Sequence, residues 1–261
     1  MLDSEGNAGK WTGGGDFRLV PWIYQSEVGQ PLNSFYVIKT DGIFQSDAEA
    51  AAYVKDGNRI QPNAVAGDLK FVDFNKDGKI DDNDRQYVGS AMPKFTYALS
   101  GGFNWKGLSV DLMFQGVAGN KIAYVGKQMI LSDVEGNFNR SAEILNAWSP
   151  TNTGSKIPRL SKNDPNGNFS TPSDYYIEDG SFLRLKNLTI GYDITRHLQK
   201  LNHFAQRGST CRVYLSAENL FTITKYSGMD PEVGISGNTP GFDTIKYPVS
   251  RVFAFGIKLN Y

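Results

Sequence analysis

From Phe95 onward the chain alternates. In KFTYALSGGFNW, Phe95, Tyr97, Leu99, Phe103 and Trp105 share one parity, and Thr96, Ala98, Ser100, Gly102 and Asn104 share the other. That is the two-residue period of a β-strand with one apolar face. Lys106 and Gly107 follow as a two-residue turn. Leu108, Val110, Leu112 and Phe114 then alternate with Ser109, Asp111, Met113 and Gln115, which completes a predicted hairpin. Three later runs behave alike. Leu188, Ile190 and Tyr192 share a parity that is opposite to that of Leu183 and Leu185, so a bulge is expected near Lys186 and Asn187. Cys211, Val213, Leu215, Ala217 and Phe221 alternate with Arg212, Tyr214, Ser216 and Glu218, and Phe253, Phe255, Ile257, Leu259 and Tyr261 close the chain. The predicted strands cover about 94–105, 107–117, 181–193, 210–222 and 250–261.

Two architectures use such strands. A soluble sandwich turns the apolar face into a core. A transmembrane barrel turns it toward lipid, with strands of about 9–11 residues where ordinary strands average about 5–6. These runs have the barrel length. Aromatics also gather at their ends, Phe95 and Tyr97 at one and Phe103 and Trp105 at the other, as interfacial girdles require. The opposite face carries Gly, Ser, Thr, Asn, Gln, Asp, Glu and Arg, which suits a wet lumen. The barrel is therefore the favoured architecture.

Composition narrows the function more than the fold. Of 261 residues, 13% are aromatic and 28 are glycine, which favours strands and turns over helices. Lysine plus arginine equals aspartate plus glutamate at 27 each, so no net field draws the chain to nucleic acid or to anionic lipid. The single Cys211 forbids an internal disulfide, and no C-x-x-C pair offers a zinc site. His197 and His203 are six apart, the wrong spacing for two ligands on one helical face. No apolar run is long enough for a membrane helix, and MLDSEGNAGKW is too polar for a signal peptide, which by ordinary rules reads as a soluble protein. The alternating strands argue otherwise.

DFNKDGKIDDND, residues 73–84, has the spacing of a calcium loop. Asp73 stands at position 1, Asn75 at 3, Asp77 at 5, Gly78 at 6, Lys79 with its carbonyl at 7, Asp81 at 9 and Asp84 at 12. Hard oxygen donors at alternate positions converge on one cation, and glycine allows the sharp turn. Asp84 departs from the bidentate glutamate usual at position 12, and no flanking helices are predicted. The competing reading is a metal-free turn held by Asx hydrogen bonds. Five acidic groups, Asp73, Asp77, Asp81, Asp82 and Asp84, would repel one another without a cation, which favours Ca2+ in a structural, non-signalling role.

Several blocks together resemble one family. They include FYVIKTDGIFQSDAEAAAY, GDLKFVDFNKDGKIDDNDRQYVG, PKFTYALSGGFNWKGLSVDLMFQGVAGN, AWSPTNTGSKIPRL, YYIEDGSFLRLKNLTIGYDI, RVYLSAENLFTITKYSGMDPEV and YPVSRVFAFGIKLNY. Their order is similar to the C-terminal portion of SusC/RagA-type TonB-dependent outer-membrane transporters. That resemblance implies an all-β fold, the C-terminal strands of a large antiparallel transmembrane barrel with long extracellular loops. Residues 1–93 would then form an extracellular loop region and 94–261 the barrel strands and their loops. It also implies import of oligosaccharides or peptides, a SusD-like surface lipoprotein as partner, and energy coupling to the TonB complex through a plug and TonB box in the part of the family's architecture not seen here. Family barrels have about 22 strands, and this chain would supply about five. The terminus, with Tyr261, Leu259, Ile257, Phe255 and Phe253 in alternation, resembles the signal by which barrels reach their insertion machinery. Placing it on the periplasmic side puts Lys106 and Gly107 in a periplasmic turn. The Ile194–Thr210 connection is long for that side.

No catalytic constellation emerges. No G-x-S-x-G elbow occurs, and GGGDF after Thr12 lacks the context of a phosphate cradle. Trp11, Trp22, Trp148, Tyr175, Tyr176 and Tyr226 are expected to pack the loops before they stack on any ligand. NFS at Asn168 and NLT at Asn187 match a sequon that arises readily by chance. The alternative function is a soluble secreted β-sandwich binding module with a structural calcium site.

Overall fold

The computed structural model describes residues 9–134, 139–200, 208–234 and 239–260. They form two compact units. One comprises Pro93–Gly119, Gly180–Pro231 and Tyr247–Tyr261, and the other Met1–Met92, Asn120–Asp179 and Glu232–Lys246.

The first unit is a single antiparallel sheet of five long strands: β1 (Phe95–Trp105), β2 (Leu108–Ala118), β3 (Phe182–Asp193), β4 (Thr210–Thr224) and β5 (Val252–Asn260). Their order is β5-β4-β3-β2-β1, so each neighbour in sequence is also a neighbour in space. Lys106 and Gly107 join β1 to β2 with φ of +48° and +91°, the left-handed pair that a tight two-residue hairpin turn needs. Between β3 and β4 the register shifts between Leu185 and Asn187, so Lys186 is skipped. The parity change in the sequence is this bulge. It brings Leu183 and Leu185 back to the face that Leu188, Ile190 and Tyr192 occupy, and Asn219 on β4 takes a φ of +52° opposite it.

The second unit holds shorter elements around its own core. Strands Trp11–Thr12, Tyr24–Ser26, Ser34–Ile38 and Arg85–Ser90 form one sheet in that order. Lys121–Tyr124 lies between Ile177–Asp179 and Phe242–Asp243 in another. Val20, Ile23, Tyr24, Phe35, Val37, Val125, Tyr176 and Phe242 meet in one buried cluster drawn from all three sequence stretches. Residues 120–179 and 232–246, which connect the long strands in sequence, thus belong to the same unit as the N-terminal region. Two short helical turns also occur: Asp47–Ala52, capped by the Ser46 hydroxyl accepting from Glu49 N at 3.1 Å, and a 3-10 turn at Ala142–Asn146. No helix among the described residues is long and apolar enough to cross a membrane, which leaves strands untested by that criterion.

Candidate membrane face and acidic loop

Cross-strand pairing sorts the five strands into two chemically distinct faces. One row runs Phe103, Val110, Ile190, Leu215, Phe255, and the next runs Trp105, Leu108, Tyr192, Val213, Ile257. A third runs Gly101, Leu112, Leu188, Ala217, Phe253. The rows of the other face read Asn104, Ser109, Gly191, Tyr214, Gly256 and Gly102, Asp111, Thr189, Ser216, Ala254. Pleating alone puts every second side chain on the same side, so the sequence alternation becomes an apolar wall backed by a polar one.

The apolar wall is open. Leu99 is 66% exposed, Phe103 57%, Phe253 64% and Phe255 71%. A two-sheet sandwich would bury these side chains against a second layer, so the sandwich reading is corrected here: among the described residues no dry interior forms around them. A contiguous apolar surface of this size on a soluble monomer would be a liability. Eleven residues at about 3.3 Å each, tilted by about 40°, rise roughly 28 Å, close to the band of about 25 Å that a barrel presents to lipid.

The polar face carries its own ion pairs. Arg184, buried in β3, donates to Thr222 Oγ1 at 2.8 Å and to Asp230 Oδ1 at 2.5 Å. Arg212 on β4 reaches Ser109 Oγ and lies 3.7 Å from Asp111 Oδ2 on β2.

In the second unit, the acidic loop is closed by backbone N–H groups aimed at its carboxylates. Asp73 accepts from Asp77 N at 3.1 Å and Gly78 N at 2.9 Å, so the chain curls around it. Gly78 sits at φ +92°, the conformation position 6 of the pattern demands. Asn75 Oδ1 accepts from Asp77 N at 2.9 Å, and Asp77 Oδ1 from Lys79 N at 3.1 Å. Asp84 is fully buried: it accepts from Phe74 N at 2.9 Å, Asn75 N at 3.3 Å and Asp81 N at 2.8 Å. Asp81 caps a short 3-10 turn over Asp82–Asp84 by accepting from Asn83 N. Its carboxyl is held below the usual range by the Lys79 ammonium and by Asn83 N, and Asp81 in turn raises Lys79. Asp82 lies outside the loop's centre and pairs with Arg85, whose guanidinium covers the Trp22 ring at 3.7 Å. Burial lowers Arg85 from its ordinary range, with Asp82 opposing that shift.

The donor chemistry of the six expected ligands suits a hard cation, since all offer oxygen. Their arrangement is that of carboxylates occupied by backbone donors and one lysine. Among the described residues no group of three or more His, Cys, Asp or Glu side chains is placed to hold a metal. Sequence spacing pointed to the donors but missed the donors' partners, because N–H groups leave no mark on residue type.

The loop aromatics divide. Trp148, Tyr176 and Tyr226 are buried, and Trp148 Nε1 donates to Gln45 Oε1 at 3.2 Å. Trp11 is exposed. Asn168 is wholly buried, accepting from Leu69 N at 2.9 Å and donating to Asp68 at 2.8 Å, which closes that sequon to a glycan. His197 is exposed beside Tyr192, and His203 and Tyr261 lie outside the described residues.

No family model matches the chain. The chain is 30% identical over 241 residues, 89% of its length, to TonB-dependent receptor P3 of Formosa agariphila, of which it covers 22%. It is 28% identical over 239 residues to the TonB-dependent receptor SusC of Bacteroides thetaiotaomicron, covering 92% of this chain and 20% of that receptor. Among solved structures, the RagAB peptide importer in its open-open state superposes with a TM-score of 0.66 at 27% identity, over 92% of this chain and 23% of that one. By these matches the chain is similar to the C-terminal portion of SusC/RagA-type TonB-dependent receptors. It spans about a fifth to a quarter of the length of the relatives it matches. As a C-terminal SusC/RagA-type portion, its five long strands are strands of a large antiparallel barrel, and the open apolar face is the one such a barrel turns to lipid.

Proposed function

We propose that this chain forms part of the wall and outer vestibule of a TonB-linked outer-membrane transporter that imports oligosaccharides or peptides. The open apolar face of β1–β5 carries the reading, because a barrel in lipid is the environment in which that face is stable. The importer named in the RagAB structure supports transport over catalysis, and peptides are one of the two substrate classes proposed. A SusD-like surface lipoprotein is the proposed partner, and the segments before Lys94, between Val117 and Ser181 and between Phe221 and Ser250 are proposed to face outward as loops. Energy is proposed to reach the barrel from TonB through the family's plug.

The test is flotation with neutral phosphatidylcholine vesicles and the need for detergent. Co-flotation and aggregation without detergent support the reading. A monodisperse chain in plain buffer would overturn it. Uptake of labelled peptides against labelled oligosaccharides, in cells whose barrel carries this segment, separates the two substrate classes.

The loop 73–84 is proposed to bind Ca2+ through Asp73, Asn75, Asp77, the Lys79 carbonyl, Asp81 and Asp84, as a clasp for the outer loops. Support comes from the curl of the chain about Asp73 and the left-handed Gly78. Calorimetry at millimolar calcium tests it, and absence of binding would remove it.

A further inference from the structure

We propose that the short-turn rim of the sheet holds the phosphate headgroup of an anionic phospholipid. This rests on the membrane reading above. A cavity of about 440 Å³ opens there between the β1–β2 turn and the helical turn Thr195–Gln199 that follows β3. Lys106, Arg196, Lys200 and His197 line it, together with Tyr192 and one acid, Asp193.

The fold assembles these side chains from segments about ninety residues apart. Gly107 accepts from Asp193 N at 2.8 Å, which ties the hairpin turn to the end of β3 and sets Lys106 beside Tyr192. Asp193 Oδ1 accepts from Thr195 N at 2.8 Å, and Thr195 Oγ1 accepts from Cys211 N at 2.8 Å, so the helical turn is anchored to β4. Arg196 and Lys200 are four residues apart and therefore rise on one side of that turn. Asp193 is engaged by Thr195 N. Among the described residues neither Lys106, Arg196 nor Lys200 makes a salt bridge, so three basic side chains face the cavity against one carboxylate.

The neighbouring surface says which anion. Tyr192 belongs to the apolar wall, as does Trp105, whose ring lies 4.9 Å beneath the Lys106 ammonium. Both rings are exposed at the margin of the wall. Aromatics at the level of lipid headgroups, with long cationic side chains reaching past them, are the arrangement that receives an anionic headgroup while its acyl chains lie along the adjoining strands. A free phosphate would use the charges but leave the apolar margin without a role.

The test uses the barrel that carries this chain in neutral detergent, with bound lipid counted by native mass spectrometry. Wild type is expected to retain phosphatidylglycerol in preference to phosphatidylcholine by about tenfold or more. The K106Q/R196Q/K200Q variant loses that preference, and R196Q alone loses part of it. Heat-modifiable gel mobility confirms that each variant is folded. Equal retention of the two lipids by wild type, or an unchanged preference in the triple variant, overturns the proposal. Displacement of the lipid by equimolar inorganic phosphate assigns the site to a free anion and also overturns it. A protein that floats with phosphatidylcholine vesicles yet shows no lipid preference defeats this inference alone, whereas failure to float defeats the membrane reading with it.

Discussion

Lys79 Nζ lies 2.6 Å from Asp81 Oδ2 and 3.7 Å from Asp77 Oδ2, so a lysine of the acidic loop covers two of the carboxylates that a calcium ion would bind. Position 7 of the pattern contributes only its carbonyl. Replacing the side chain therefore removes a competing cation without removing a ligand. Lys79→Met is expected to tighten calcium binding several-fold in titration calorimetry. Equal affinity would show that the ammonium moves aside at no cost, and no heat from either protein would end the calcium proposal.

Asp84 offers a separate measure of what the loop needs. Its buried carboxylate accepts from three backbone N–H groups, and Asp84→Ala removes that acceptor from all three. A cost of about 3 kcal/mol in urea unfolding is expected, with Asp84→Asn costing clearly less. Removing calcium with chelator discriminates the roles. A hydrogen-bonding role predicts the same cost with and without chelator, whereas a ligand role predicts a larger cost when calcium is present.

Asp68 and Arg159 are ninety-one residues apart in sequence and form a two-point pair, Nε to Oδ1 at 2.7 Å and Nη2 to Oδ2 at 3.1 Å. Asp68 is fully buried and also accepts from Val65 N and the Asn168 amide. Arg159→Met strands that carboxylate in the interior. The expected loss is about 3–5 kcal/mol, most of it the uncompensated charge. Asp68→Asn combined with Arg159→Met is expected to recover part of the loss, and a double variant no better than Arg159→Met would argue against a coupled pair.

Such contacts mark the limit of what residue patterns convey. Strand position, the Lys106–Gly107 turn and the bulge at Lys186 were all readable, because each is a local consequence of parity, turn chemistry or a break in the alternation. The union of 9–92 with 120–179 and 232–246 was not. Tyr24 donating to Pro240 O at 2.7 Å, or Asp68 meeting Arg159, leaves no periodicity to detect. The acidic loop was legible as a list of oxygens, yet what those oxygens accept depends on φ and ψ at Lys76 and Gly78. The cationic rim was legible as separate lysines and arginines but not as a cavity, since its two halves are brought together only by the pairing of β2 with β3.

The two faces of the sheet make opposite predictions for one substitution. Leu215 and Ser216 are adjacent on β4, Leu215 in the row of Ile190 and Phe255, and Ser216 in the row of Thr189 and Ala254. Leu215→Arg places a charge on the lipid side and is expected to destabilise the folded barrel by about 2–4 kcal/mol if it lies near the midplane. Ser216→Arg on the lumen side is expected to change stability by less than about 1 kcal/mol. Reversible urea unfolding in lipid vesicles measures both. Equal costs would contradict the assignment of faces.

Asp174 supplies the pH prediction. Burial raises its carboxyl above the ordinary range, opposed by Thr40, whose N–H and hydroxyl donate to Oδ1 at 2.9 and 2.7 Å. A raised acid binds its proton more tightly in the folded chain than in the unfolded one, where the value is about 3.9. Its stabilising contribution is therefore full below that unfolded value and is lost as pH rises through the higher folded one. Asp174→Asn keeps an oxygen for Thr40 and removes the titration. The wild type is expected to gain stability relative to Asp174→Asn as pH falls from 7 toward about 4, with the variant at least as stable at pH 7. Chemical unfolding of both proteins at several pH values gives that difference directly. Parallel curves would mean that the carboxyl titrates alike in both states and that its burial carries no penalty.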